Sequence, residues 1–325
     1  MAILKAVSTL LMMLFSCAAL AKWHVQEAKA MGTLIRMEVW SDAEMRKVDS
    51  IFDQALAEIE RLESMLSTYR DSSDISVVNQ NAGLKAVKVN DEFHYLLERS
   101  IAFGDMSQGA FDITYASVGH QYSFRDGYKP SDTFISSHLS LVDYRLIKLK
   151  PTGEVYLPQK GMKVDLGGIA KGYAVDQVTK LWQARGVSHA AITAGGDTRF
   201  IGDKRGSLWN VGIRHPRNPN KTLMTLPVSD LAISTSGDYE RFFDDDSGRV
   251  HHILQPSTGK PATGLSSVSI IAPESMTADA LATSVFVLGT KQGLALINSL
   301  NDVSAIIVDH QQMIHLSKDL VELNQ

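Results

Sequence analysis

The stretch from Lys163 to Trp182, KVDLGGIAKGYAVDQVTKLW, leaves this chain few ways to fold. It opens as a short apolar run, passes through Gly167 and Gly168, and turns into a helical pattern. Ile169, Tyr173, Gln177 and Leu181 fall four apart, with Ala170, Ala174, Val178 and Trp182 beside them, which makes one largely apolar stripe. Arg185-Gly186 closes it with a basic last turn and a C′ glycine. A strand, a glycine pair and a helix start offer backbone N–H groups and the positive end of a dipole to an anion. A tight corner with no ligand is the plain alternative. Asp165 before the glycines and Lys171 in the first turns add one charge of each sign.

The remainder must supply a core for that corner, and 325 residues suffice for one large domain. A formal net charge of −4 gives no basic face for nucleic acid. The first segment reads as a leader: Lys5, an apolar run from Ala6 to Ala19, then small residues at Ala19 and Ala21. Cleavage after Ala21 yields a periplasmic protein of residues 22–325. The rival is a lipoprotein signal with lipid on Cys17, the one route to a membrane in this reading, since no other apolar run approaches a spanning length. Cys17 is the only cysteine, so the mature chain has no disulfide, zinc thiolate or thiol nucleophile.

In chain order, His24 to Trp40 reads as one strand with a Met31-Gly32-Thr33 interruption, taken as a bulge or a close backbone approach. Apolar positions from Met45 to Leu66 give a core-packing helix. Asn90 caps another. Val155 to Lys163 is expected to be a hairpin strand leading into the glycine corner, and His189 to Gly196 a buried strand ending in AGGD. Val268 to Ala272 is a strand, followed by a helix with Thr277 as N-cap and Gly289 past its end. Strands and helices mix without regular alternation. That pattern predicts a single α+β domain of mostly antiparallel strands with packed helices.

Three clusters can carry chemistry. Asp279 and Thr283 lie four apart on one helix, so a carboxylate and a hydroxyl face the same way and suit Mg2+. Asp279 is expected in the first turn, at the surface, where negative charge is favourable in any case; Thr283 has the alternative of bonding its own helix. Asp165, Gly168 and Lys171 offer a carboxylate, an open carbonyl and an ammonium at the glycine corner. In HHILQPSTGKP, His252 suits a general base and His251 the role of a partly exposed strand histidine. There is no nucleophile elbow, Walker sequence or H-E-x-x-H.

Taken together the clusters resemble the ApbE family, the FAD:protein FMN transferases. MGT, LSTYR, DSSDIS, GAFD, VDLGGIAKGYAVD, AGGD, HHILQPSTGKP and ADALATSVFVLG follow one another along nearly the whole mature chain. The resemblance implies a Mg2+-dependent enzyme that moves the FMN half of FAD onto a threonine or serine hydroxyl of an acceptor flavoprotein and releases AMP. By position it implies that Met31, Tyr69, Ala110, Phe111, Asp112, Asp165, Lys171 and Ile253 line the FAD site. It implies that the Gly168 carbonyl, Asp279 and Thr283 hold the metal, and that His252 is the base for the acceptor hydroxyl. The nucleophile then arrives with the acceptor, which accounts for the missing triad. Gln255 stands where the family usually has aspartate, removing a charge close to His252. FAD hydrolysis to FMN and AMP, or flavin binding without catalysis, are the competing readings.

Overall fold

Residues 21–41, 45–246 and 248–322 are described in the computed structural model of the chain. Apart from Ala21, the expected leader with Cys17 lies outside the described residues. Eight strands form one sheet whose spatial order follows the chain: β1 (Lys22–Ala30), β2 (Thr33–Ser41), β3 (Ala190–Ala194), β4 (Asp197–Ile201), β5 (Ala232–Gly237), β6 (Leu265–Ala272), β7 (Ser304–Asp309) and β8 (Ile314–Leu316). Every neighbouring pair is antiparallel. This is the mixed α+β domain that the pattern implied. Strand β6 is buried at all eight positions, because helices cover one face of the sheet and the Trp209–Arg214/Thr222–Val228 hairpin covers the other.

Of four long helices, α1 (Met45–Leu66), α3 (Ala170–Ala184) and α4 (Ser275–Ile297) pack the first face, and α2 (Asp91–Met106) packs on α4. The α1 stripe of Val48, Phe52, Ala55 and Ile59 meets Ile35, Met37 and Val39 of β2 and Val178 and Trp182 of α3. Asn90 caps α2 by accepting from the Phe93 N–H at 2.8 Å. The apolar stripe read from Ile169 to Trp182 is α3, ended by Arg185 and by Gly186 at φ +79°.

Three local expectations are corrected. His24 to Trp40 is two strands, not one. Met31 and Gly32 both take positive φ, 50° and 68°, and Ala30 pairs with Thr33, so the interruption is a two-residue hairpin turn. A side chain is disfavoured in that backbone state; a 3.0 Å bond from the Met31 N–H to Glu63 Oε2 holds it. Next, only Val155 and Tyr156 of the expected Val155–Lys163 strand are paired, within the strand Glu154–Tyr156. Met162, Val164 and Leu166 alternate inward as strand residues do, but side chains replace the neighbouring strand. The Asn79 amide accepts from the Val164 N–H at 2.7 Å and donates to its carbonyl at 2.9 Å, and Ser117 Oγ accepts from the Lys163 N–H at 3.0 Å.

Helix α4 begins at Ser275 and runs through a break at Gly289 to Ile297. Thr277 is inside it and does not cap it. Asp176 of α3 takes the Ser275 and Met276 N–H groups at 2.9 and 2.8 Å, so the cap comes from the neighbouring helix. By length and composition α4 is also apolar enough to cross a membrane, contrary to the sequence expectation. Its Ala278, Leu281, Ala282, Val285 and Phe286 are buried in the main core, against β5 and β6.

Candidate active site

The helices α3 and α4 cross at Gly172, where a β-carbon would lie 2.3 Å from the Ser275 carbonyl oxygen and 2.9 Å from Asp279 Cβ. Only glycine permits that approach. Its consequence is chemical. The Gly172 N–H, which would ordinarily close the first turn onto the Gly168 carbonyl, donates instead to Asp279 Oδ2 at 3.2 Å. Among the described residues no backbone N–H is directed to the Gly168 carbonyl, and it stays open.

Thr283 lies one turn beyond Asp279 and faces the same corner. A β-carbon on Gly168 would sit 3.1 Å from Thr283 Oγ1 and 3.2 Å from Phe111 Cε2. Thr283 does not bond its own helix, unlike Ser284, which donates to the Ala280 carbonyl at 2.7 Å. A carbonyl, a hydroxyl and a carboxylate thus converge, each a hard oxygen donor of the kind Mg2+ takes. Among the described residues no group of three or more His, Cys, Asp or Glu side chains gathers as a metal cluster. The three oxygen donors at this corner include only one such side chain, Asp279.

Asp279 is buried at 3% exposure, not on the surface as the sequence suggested, because it starts the second turn of α4 and points into the α3 crossing. Burial, together with the charge of Asp197, pushes its carboxyl well above the usual carboxylate range; Lys171 and the Gly172 N–H oppose this. Lys171 Nζ stands between the two acids, 2.8 Å from Asp197 Oδ2 and 3.5 Å from Asp279 Oδ2. Burial pulls the ammonium down, but Asp197 and Asp279 outweigh it and hold it above its ordinary value. Asp197 is 1% exposed and takes a hydrogen bond from Ser234 Oγ on β5.

At the other side of the glycine pair, Asp165 Oδ1 accepts from the Gly167 N–H at 2.7 Å and from the Tyr115 hydroxyl at 3.2 Å, while Oδ2 accepts from Thr68 Oγ1 at 3.4 Å. Burial, then Asp165, keeps the Tyr115 phenol far above its normal range. Those bonds tie the LSTYR segment to the glycine corner and leave the Tyr69 side chain 93% exposed. Phe111 is buried beside Gly168, and Ala110 before it in the chain is buried too. Asp112 is engaged otherwise: Oδ1 takes Thr114 N–H and Oγ1–H at 2.8 and 2.5 Å, and Oδ2 takes the Tyr144 N–H at 3.0 Å. Its carboxylate shapes the loop that carries Phe111.

His251 and His252 divide as the alternation of a strand requires. His251 is buried rather than partly exposed, faces Phe286 edge-on at 5.6 Å, and bonds the Ala262 carbonyl at 2.9 Å through Nε2. His252 is half-buried and its Nδ1 is enclosed without a hydrogen-bond partner. Burial, then the charges of Arg241, His251 and Lys171, lowers it to about 3, so it is held neutral. Ile253 is buried next to it. Sequence reasoning gave no role to Asp197, Asp176, Tyr115 or Arg241. Two of them, Asp197 and Asp176, close the AGGD and GYAVD motifs, which was the available signal.

A family model described as the ApbE family matches residues 31–307. A protein named FAD:protein FMN transferase from Treponema pallidum (strain Nichols) is 34% identical over 310 residues, 90% of this chain and 86% of that protein. Another of that name, from Klebsiella pneumoniae (strain 342), is 32% identical over 275 residues, covering 82% and 85%. Among solved structures, the ApbE protein of Thermotoga maritima superposes with a TM-score of 0.85 at 31% identity, over 94% of this chain and 100% of that one.

Proposed function

The chain belongs to the ApbE family, and from that premise we propose that it catalyses Mg2+-dependent transfer of the FMN moiety of FAD to a threonine or serine hydroxyl of an acceptor flavoprotein, with release of AMP. The observation that carries this reading is the convergence of the open Gly168 carbonyl, the unengaged Thr283 hydroxyl and the buried Asp279 carboxylate at one helix crossing. These three would hold the cation. When bound, it neutralises diphosphate charge where a phosphoryl group is transferred.

The rest of the work falls to side chains. Met31, Tyr69, Ala110, Phe111, Asp165, Lys171 and Ile253 line the flavin nucleotide, and Asp112 contributes through the loop it shapes. His252 receives the proton of the acceptor hydroxyl. The new bond joins the acceptor oxygen to the FMN phosphorus; the bond from that phosphorus to the bridging oxygen breaks; AMP leaves with the bridging oxygen. A neutral imidazole can take that proton, and an incoming diphosphate makes it a better base by offsetting the nearby cationic charge of Lys171 and Arg241. The mature domain of residues 22–325 works in the periplasm after removal of its leader.

Incubation of the pure protein with FAD, Mg2+ and an acceptor flavoprotein domain, followed by intact mass, tests this. The acceptor gains the mass of FMN, on a threonine or serine, in parallel with AMP. Free FMN and AMP with an unmodified acceptor would assign hydrolysis instead, and intact FAD would assign binding alone.

A further inference from the structure

Arg241 follows β5, and its guanidinium faces the turn of the first hairpin: a β-carbon on Gly32 would lie 3.5 Å from Arg241 Nη2. Its carbonyl accepts the His252 N–H at 3.1 Å, which fixes the residue beside the imidazole. Its charge acts on both His252 and Tyr115, so it borders the space between the hairpin turn, the Asp165 corner and the candidate base. The other arginines of this region are paired. Arg214 meets Glu240 at 2.6 Å, Arg217 meets Asp238 at 2.6 Å and Arg249 meets Asp244 at 3.4 Å. Arg241 is exposed and, among the described residues, has no side-chain hydrogen bond or ion pair.

Charge balance gives that free guanidinium a task. Lys171 is already engaged by Asp197 and Asp279, and Asp165 takes its hydrogen bonds from the neutral Gly167, Tyr115 and Thr68 donors. A diphosphate entering the corner adds two negative charges. A cation with unoccupied donors is what such a ligand needs, and a guanidinium presents them in a fork that fits phosphate oxygens. We propose that Arg241 binds the diphosphate of the flavin nucleotide from the Gly32 side, a role that rests on the function proposed above.

The test is equilibrium binding of FAD, ADP and riboflavin, without divalent metal, to the wild-type protein, Arg241→Gln and Arg241→Lys. Arg241→Gln should weaken FAD and ADP about 10- to 100-fold, leave riboflavin within roughly 2-fold, and flatten the salt dependence of ADP binding. Arg241→Lys should recover part of the loss, since it keeps the charge without the fork. Equal affinity for ADP in wild type and Arg241→Gln overturns the proposal, as does a matched loss for riboflavin, which would mark a structural residue. If the wild-type protein binds neither FAD nor ADP, with or without Mg2+, the parent function fails first, and that outcome is distinct from both.

Discussion

Helices α3 and α4 each place a buried aspartate in their contact, and the fold treats the two in opposite ways. Asp176 receives the first two N–H groups of α4, at 2.9 and 2.8 Å, which would otherwise be orphaned. Asp279 has one backbone donor at 3.2 Å and shares Lys171 with a third acid, Asp197, which holds the lysine more closely. The first arrangement is a joint, complete within the chain. The second is an acid left short of positive charge beside an open carbonyl and a free hydroxyl. A buried polar group that the fold leaves undersatisfied is a place where a ligand completes the structure.

The sharpest way to break this contrast is Asp279→Asn, which keeps the shape and an oxygen for Gly172 and removes the charge. AMP release from FAD in Mg2+ should fall roughly 10^3-fold. The thermal midpoint should hold or rise, because burying the ionised acid no longer opposes folding. A variant that keeps its turnover, or that unfolds, would place Asp279 with Asp176 as a structural group. A smaller effect is expected at His252. His252→Ala should slow transfer about 100-fold while FAD affinity, read by flavin fluorescence, moves only a few-fold. Equal losses in both would make the imidazole a binding group.

How much of this was legible depended on whether the signal was local. The glycine corner, the α3 stripe and the shared face of Asp279 and Thr283 follow from 3.6-residue periodicity and from glycine, so they could be read directly. The hairpin at Met31-Gly32 was hidden because methionine, not asparagine or aspartate, holds the first positive-φ position, and the alternation on both sides reads as one continuous strand. The unpaired stretch around Val164 looked like a strand for the same reason: its burial alternates, and only the Asn79 amide, 85 residues away, reveals that no strand lies beside it. Asp197 and Asp176 act across the α3–α4 contact and against β5. Nothing in their own neighbourhoods marks which acid becomes a cap and which shares a lysine.

The mildest test concerns the joint. Burial pushes Asp176 up to about 6, against the pull of the Met276 and Ser275 N–H groups. A carboxyl whose folded value lies above its unfolded one binds its proton more tightly in the native state. Its contribution to stability is therefore present at pH 4 and declines as the pH rises through about 6. Asp176→Asn cannot titrate, and its amide can accept from one of the two N–H groups but not both. Wild type should exceed the variant by about 1–3 kcal/mol near pH 4, in urea unfolding, and the gap should narrow toward pH 7. A gap that widens with pH would mean that the helix N–H groups overcome burial and that the ionised carboxylate itself is the stabilising form. Asp176 would then be still further from Asp279, since one acid would have its charge answered inside the protein and the other would not.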